Sequence, residues 1–244
     1  MTTATASSLS PRTTINILLE GNCIHDNGNS GSLFEHNVYV EAIGVTYQYN
    51  HFGPPLPGAG GNNDFVHYGG DTGSAQKLRK GTPNFYNNLV SDRTDNTRLF
   101  RLSRNDESCD ARNNIAYVTA AGANLQLLDN YGHLTLTQNW FKTGYTPFVV
   151  NRPKGTITDN GTVTGSSPGF VSEAGQDCHL ISGSQAIDAG AALNPAVLPT
   201  HNVVREYVKH QSSVARAVYG TWTSGPTSSD HGAGRESLAG LTSS

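Results

Sequence analysis

Apolar residues in this chain fall into short runs separated by glycine, asparagine, aspartate and serine. The runs are residues 13–20 (TTINILLE), 37–49 (NVYVEAIGVTYQY, divided near Gly44), 84–91 (NFYNNLVS), 98–103 (RLFRLS), 113–119 (NNIAYVT), 125–129 (LQLLD), 134–141 (LTLTQNWF) and 147–150 (PFVV). Most are rich in β-branched and aromatic residues and all are short runs between turn formers, so each reads as a strand. RLFRLS keeps polar positions for one wet face, whereas NNIAYVT and LQLLD approach the continuous apolar runs of strands covered on both sides. Residues 53–63 (GPPLPGAGGNN) form a Pro/Gly loop that no strand can cross. The best candidate for a helical stretch is residues 203–208.

A shorter phrase recurs within this pattern: an aromatic or aliphatic residue, one or two asparagines, then more apolar residues. It occurs around Asn22, Asn50, Asn87–Asn88, Asn113–Asn114 and Asn139, the last three copies about 25 residues apart, a period typical of stacked repeats. Asparagine tolerates the left-handed backbone that a tight corner needs. Its amide can bond to another asparagine stacked above it. Strand, Asn corner and strand, once per coil, predict an all-β fold: a single-stranded right-handed parallel β-helix, a solenoid, with an irregular C-terminal cap. The expected layout is a leader over residues 1–14, β-helix coils over 15–164, and a cap and tail over 165–244. The cap is expected because an uncovered last coil would expose an unpaired strand edge.

Composition agrees with this layout. Of 244 residues, 14% are charged and 36% apolar, with 27 Gly and 11 Pro, a balance that suits turns and short strands. The net charge of −3 provides no basic field to recruit nucleic acid. No apolar run is long enough to span a membrane, and the polar start MTTATASSLSPRTT does not read as a signal peptide. Cys23, Cys109 and Cys178 have no CxxC spacing; buried thiols are the expectation, with one bridge left open.

The segment of residues 169–190 (GFVSEAGQDCHLISGSQAIDAG) resembles the terminal motif of bacterial right-handed β-helix repeat proteins. Residues 194–211 (NPAVLPTHNVVREYVKHQ) and 228–236 (SSDHGAGRE) resemble the closing segment of that family, Asp230, Gly232, Ala233 and Glu236 matching its last motif loosely. GNCIHDNGNSGSLFEHNVYVEAIGVTYQYNHFG and HYGGDTGS with KLRKGTPNFYNNLV resemble internal coils. The family includes secreted polysaccharide-processing enzymes, so the resemblance implies an extracellular or periplasmic protein that acts as a monomer on a polysaccharide. It also leads to the expectation of more coils before Asn22, and of one or two further coils at the compressed junction of residues 60–64 (GGNND).

Three polar clusters are candidates for chemistry. Glu35, His36, Tyr39 and Glu41 lie in FEHNVYVEA, where alternation puts Tyr39 and Glu41 on one strand face; they form a sugar subsite or a solvated face. His67, Tyr68 and Asp71 precede Lys77, Arg79 and Lys80, and this basic run would grip an anionic uronate chain or simply be solvated. Arg93, Arg98, Arg101 and Arg104 with Asp92, Asp95, Asp106 and Glu107 alternate in sign and read most simply as pairs on adjacent coils. A lyase needs a base and a positive partner for the enolate, the roles that Lys and Arg fill in the β-helix lyases by resemblance. A hydrolase needs two carboxyl groups at a set separation. The assigned catalytic candidates are therefore Glu41, His36, Arg79 and Lys80, with Glu35, Tyr39, His67, Tyr68, Asp71 and Lys77 binding substrate. The alternatives are a non-catalytic carbohydrate-binding or surface-structural module, or an inactive truncated relative.

No metal is assigned. Ca²⁺ remains open because oxygen ligands abound, although DNGNSG at residues 26–31 reads more simply as a turn. The nine histidines show no HExxH spacing for zinc, and no phosphate-binding loop occurs. Phe141 is expected in the core, while Trp140, Tyr145 and Phe148 would stack on sugars if exposed.

Overall fold

The computed structural model describes residues 17–31, 36–40, 44–56, 64–68, 84–86, 88–92, 96–102, 107–119, 124–152, 154–175, 177–208 and 212–215. Strands follow one another in coils: β1 (Leu18–Glu20), β2 (Cys23–Ile24) and β3 (Tyr39–Val40); β4 (Thr46–Gln48), β5 (His51–Phe52) and β6 (Asp64–Tyr68); β7 (Asn84–Tyr86), β8 (Leu89–Asp92) and β9 (Asn96–Leu102). Next come β10 (Ser108–Arg112), β11 (Ile115–Val118) and the long β12 (Asn124–Thr137), then β13 (Trp140–Lys142), β14 (Thr146–Phe148), β15 (Lys154–Asn160) and β16 (Val163–Gly165).

All pairing among these strands is parallel and runs from coil to coil. The first sheet orders β1-β4-β7-β10, the second half of β12, then β15; the second orders β2-β5-β8-β11-β13-β16; the third orders β3-β6-β9, the first half of β12, then β14. This is the parallel β-solenoid, with about four turns between Asn22 and Asn139. β12 belongs to two sheets because the chain swings through the corner at Gly132, where φ is +83° and an added Cβ would sit 2.7 Å from Leu102 Cβ. Residues 57–63 lie outside the described residues; the coil of β4, β5 and β6 pairs directly with the next, Thr46 with Asn84 and His51 with Leu89.

Each sheet turns aligned side chains inward. Leu19, Tyr47, Phe85, Ala111 and Leu136 align in the first sheet, and Ile24, Phe52, Val90, Ala116 and Phe141 in the second. They form one interior with Leu99, Phe100, Leu125, Leu127 and Leu128 from the third sheet. At the C-terminal end the residue paired with buried Leu136 is Asp159. Burial, then the adjacent Asp159 carboxylate and its hydrogen bond, push the Tyr145 phenol upward. The apolar column therefore stops at a charge, which blunts this end of the stack.

The corners between the first and second sheets carry the asparagine ladder. Asn22 donates its backbone N–H and its Nδ2 to Asn50 Oδ1 (2.9 Å each), and Asn50 does the same to Asn88 Oδ1 (3.0 and 2.9 Å). Asn88 repeats it to Asn114 (2.8 and 3.1 Å), and Asn114 to Asn139 (3.0 and 2.9 Å). From Asn50 onward, each Nδ2 also donates back to a carbonyl of the preceding coil: Leu19, Tyr47, Phe85 and Ala111 in turn. The left-handed residue is not the ladder asparagine, as the sequence suggested, but the one before it. Gly21, Tyr49, Asn113 and Gln138 have φ of 63°, 38°, 58° and 50°, and Gly161 repeats the corner (89°) before Thr162. In the Asn113–Asn114 doublet the first residue makes the turn and the second makes the rung.

Beyond Gly165 the chain is irregular: a hairpin of β17 (Phe170–Ser172) and β18 (Asp177–Leu180), a 3-10 turn at Pro195–Val197 capped by Asn194, and a hairpin of β19 (Arg205–Val208) and β20 (Ser212–Ala215). Residues 203–208 are not helical; Arg205–Val208 is a strand, because Tyr207, Val208 and their neighbours pair with β20. This segment runs back along the flank of the solenoid as a strap. Asn113 exchanges two hydrogen bonds with Ala191 (2.7 Å each), Thr46 meets His201 at 2.7 Å, and the Tyr207 and His51 rings lie 6.0 Å apart. Asp110 anchors the middle: it accepts from Tyr86 Oη (2.7 Å), Arg112 Nε (3.0 Å) and Asn194 Nδ2 (3.1 Å), and Arg112 reaches the carbonyl of Ala192. Under the strap a second apolar cluster joins Tyr49, Tyr86, Leu89, Ile115, Tyr117 and Trp140 to Leu180, Ala186, Leu193, Val197, Val203 and Tyr207. The three cysteines are free; Cys109 is buried, Cys23 and Cys178 partly so.

Candidate functional site

The third sheet aligns polar positions that are dispersed in the sequence. Its register aligns Tyr39, His67, Arg101 and Asp129 in one column across four successive coils. A second column aligns Asp64, Arg98, Gln126 and Thr146. At the common strand spacing of about 4.8 Å, a column across four coils is about 14 Å long.

The centre of this face is Asp129, fully buried. Its Oδ2 accepts from Arg101 Nη1 at 3.3 Å and lies 3.8 Å from Arg98 Nη1; its Oδ1 lies 3.6 Å from Arg152 Nε. A carboxylate without water around it is costly unless paired, and here it draws together three guanidiniums, two from β9 and one from the loop before β15. Those three retain partial exposure, at 15–35% of their side-chain surface. Three positive groups around one negative group form a locally cationic patch on a chain of net negative charge. Nearby, Lys154 Nζ lies 5.8 Å from the centre of the Phe148 ring.

Of the residues singled out from the sequence, Tyr39 is exposed (44%) at the start of the first column, and the ring of half-buried His36 lies 6.1 Å from it. His67 occupies the next place in that column. Tyr68 occupies the column of Val40 and Leu102, both of which pack on the interior. Glu35, Glu41, Asp71, Lys77, Arg79 and Lys80 lie outside the described residues, as do Arg93, Arg104, Asp95 and Asp106. Arg98 and Arg101 do pair with the adjacent coil, but through Asp129, which the sequence reading had not selected. The available signal was spacing: Asp129 stands one coil, 28 residues, beyond Arg101.

Trp140 and Phe141 are both fully buried, the first under the strap and the second in the interior, so neither is a sugar platform. Tyr145 and Phe148 are half-buried against the interior. The turn at residues 26–31 holds Asp26 beside His25, at 2.5 Å from its Nδ1. Among the described residues, no three His, Cys, Asp or Glu side chains gather as a metal site would require. Burial pushes the Cys23 and Cys109 thiols and the Tyr49 and Tyr86 phenols up, as it does Tyr145 just before β14, and it lowers His51 to about 4 with help from nearby His25.

No family model matches this chain, and neither a curated protein nor a solved structure is significantly similar to it. What the structure carries of the resemblance to bacterial β-helix proteins is the parallel β-solenoid itself.

Proposed function

We propose that this protein binds an acidic polysaccharide along the outer face of the third sheet. The supporting observation is the trio of Arg98, Arg101 and Arg152 held around buried Asp129, in line with exposed Tyr39 three coils away. Guanidinium forks match carboxylates in a bidentate manner, an exposed tyrosine offers a ring for a sugar to lie on, and a column repeating once per coil suits a ligand that itself repeats. Such a substrate implies an extracellular or periplasmic setting.

Binding without turnover is the reading that the described residues favour. Apart from Tyr145, the described groups with displaced pKa values sit in the interior or under the strap, whereas catalytic acids and bases are tuned where they act. Elimination or hydrolysis would draw on His36, Glu35, Glu41, Arg79 and Lys80.

A panel of uronate, sulfated and neutral polysaccharides separates these readings. Retention of the protein by uronate polymers, without unsaturated product or new reducing ends, is the expected result. Unsaturated product would establish a lyase, and reducing ends alone a hydrolase. Equal retention by neutral and acidic polymers would refute the proposal.

A further inference from the structure

Asparagine precedes glycine at two places in this chain, Asn27–Gly28 and Asn160–Gly161. The pair is chemically labile. Glycine has no Cβ to hinder its amide nitrogen, and that nitrogen is held close to the carboxamide carbon of the asparagine before it, as in any fast intramolecular reaction. The surroundings of the two pairs differ. Asn27 is half-buried, its Nδ2 donates to Asn37 Oδ1 (3.0 Å), and its carbonyl accepts from the Leu56 N–H (3.0 Å). Asn160 and Gly161 are both exposed, and the Asn160 carboxamide makes no hydrogen bond to a described residue.

Gly161 also stands apart from the other corner residues. Gly21, Tyr49, Asn113 and Gln138 donate their N–H to a carbonyl of the next coil, on Gln48, Tyr86, Thr137 and Asn160 in turn. A backbone N–H engaged in this way is held still and is shielded from base. Gly161 makes the same left-handed turn (φ of 89°), but no described residue accepts from its N–H. The nucleophile and the carboxamide it would attack are thus both exposed and both without a hydrogen-bonded tether.

We propose that Asn160 is a site of self-catalysed deamidation that loosens the corner between β15 and β16. The Gly161 nitrogen gives its proton to hydroxide and bonds to Asn160 Cγ. The side-chain nitrogen leaves as ammonia, which closes a succinimide ring. Water then opens the ring at either carbonyl. Cleavage at Cγ gives aspartate; cleavage at the original main-chain carbonyl gives isoaspartate, with the chain now routed through the former side chain. Isoaspartate therefore lengthens the main chain by a methylene between two fixed points, the pairing of Asn160 with Thr137 and that of Val163 with Trp140. Either product adds a negative charge beside Asp159, whose Oδ1 holds the Thr162 N–H (3.0 Å). The earlier corners at Tyr49, Asn113 and Gln138 precede no Asn–Gly pair and keep their geometry.

The test is incubation of the folded full chain at mildly alkaline pH, followed by peptide mapping in a mass spectrometer. The two Asn–Gly pairs serve as each other's comparison. Conversion at Asn160 is expected to run several-fold faster than at Asn27, with isoaspartate as the main product, recognised by methylation with an isoaspartyl methyltransferase. In urea, where neither pair is sheltered, the two rates should converge, which assigns the difference to the fold rather than to the sequence. The aged form, separated by its added charge, should exchange the amides of Val163–Gly165 faster than the unaged form, while those of β10 and β11 stay unchanged. No conversion at Asn160, or equal rates at the two sites in the folded chain, would overturn the assignment of the site. Equal exchange in Val163–Gly165 before and after conversion would overturn the loosening of the corner.

Discussion

Replacement of Asn88 by alanine tests the ladder where it is most enclosed. Asn88 is fully buried. Its Oδ1 accepts from the backbone N–H and Nδ2 of Asn50, and its Nδ2 donates to Asn114 Oδ1 and to the Tyr47 carbonyl. Alanine removes four hydrogen bonds and leaves the Asn50 donors and the Tyr47 carbonyl buried without them. A hydrogen bond contributes about 1 kcal/mol net, and a buried group left unsatisfied costs about 1–3 kcal/mol, so the loss should be about 3–5 kcal/mol. Asn22→Ala is the internal control. It keeps the backbone donor to Asn50 and removes only the two Nδ2 bonds, one of them exposed, which places its cost at about 1 kcal/mol or less. Asn139→Ala loses three bonds and should fall between them. Urea unfolding followed by circular dichroism, with m-values compared to confirm a common transition, gives the three differences. Equal costs for Asn88→Ala and Asn22→Ala would refute the ladder as a source of stability.

Other consequences follow from single positions. Gly132→Ala forces a side chain into φ of +83° against Leu102, and thermal melts should show a loss of about 2–4 kcal/mol. Asp129→Asn removes the charge that gathers three arginines; the variant should remain folded by circular dichroism, yet lose the ordered guanidinium Nη–H signals of Arg101 and the Nε–H signal of Arg152 by NMR. His51 has a folded pKa of about 4 against the ordinary 6.5, so the unfolded chain binds the extra proton between these values. Its contribution to stability is complete above pH 6.5 and declines as pH falls toward 4; His51→Gln should flatten that part of the stability–pH curve.

The stacked asparagines made the solenoid legible from sequence because the ladder needs one residue type at one place per coil. The same regularity assigned Phe141 to the interior. The tight corner was harder to place, since Gly21, Tyr49 and Gln138 share no chemistry, only backbone geometry. Asp129 was overlooked because LQLLD looks like a covered strand; its partners are one coil away in sequence and adjacent in space. The strap was not legible as such: Asn113 with Ala191 and Thr46 with His201 are separated by most of the chain, and an irregular segment has no period to betray where it lies. Trp140 looked like a possible sugar platform for the same reason, since what covers it comes from that strap.

The most direct test of the proposed function is calorimetric titration of the protein with oligogalacturonate at low and moderate salt, alongside Arg101→Ala. Removing one charge-assisted carboxylate contact of about 1.5 kcal/mol or more predicts roughly tenfold or greater weakening, a gap that narrows as salt screens the cationic patch. Binding that is unchanged in Arg101→Ala and insensitive to salt would contradict recognition by the arginine face.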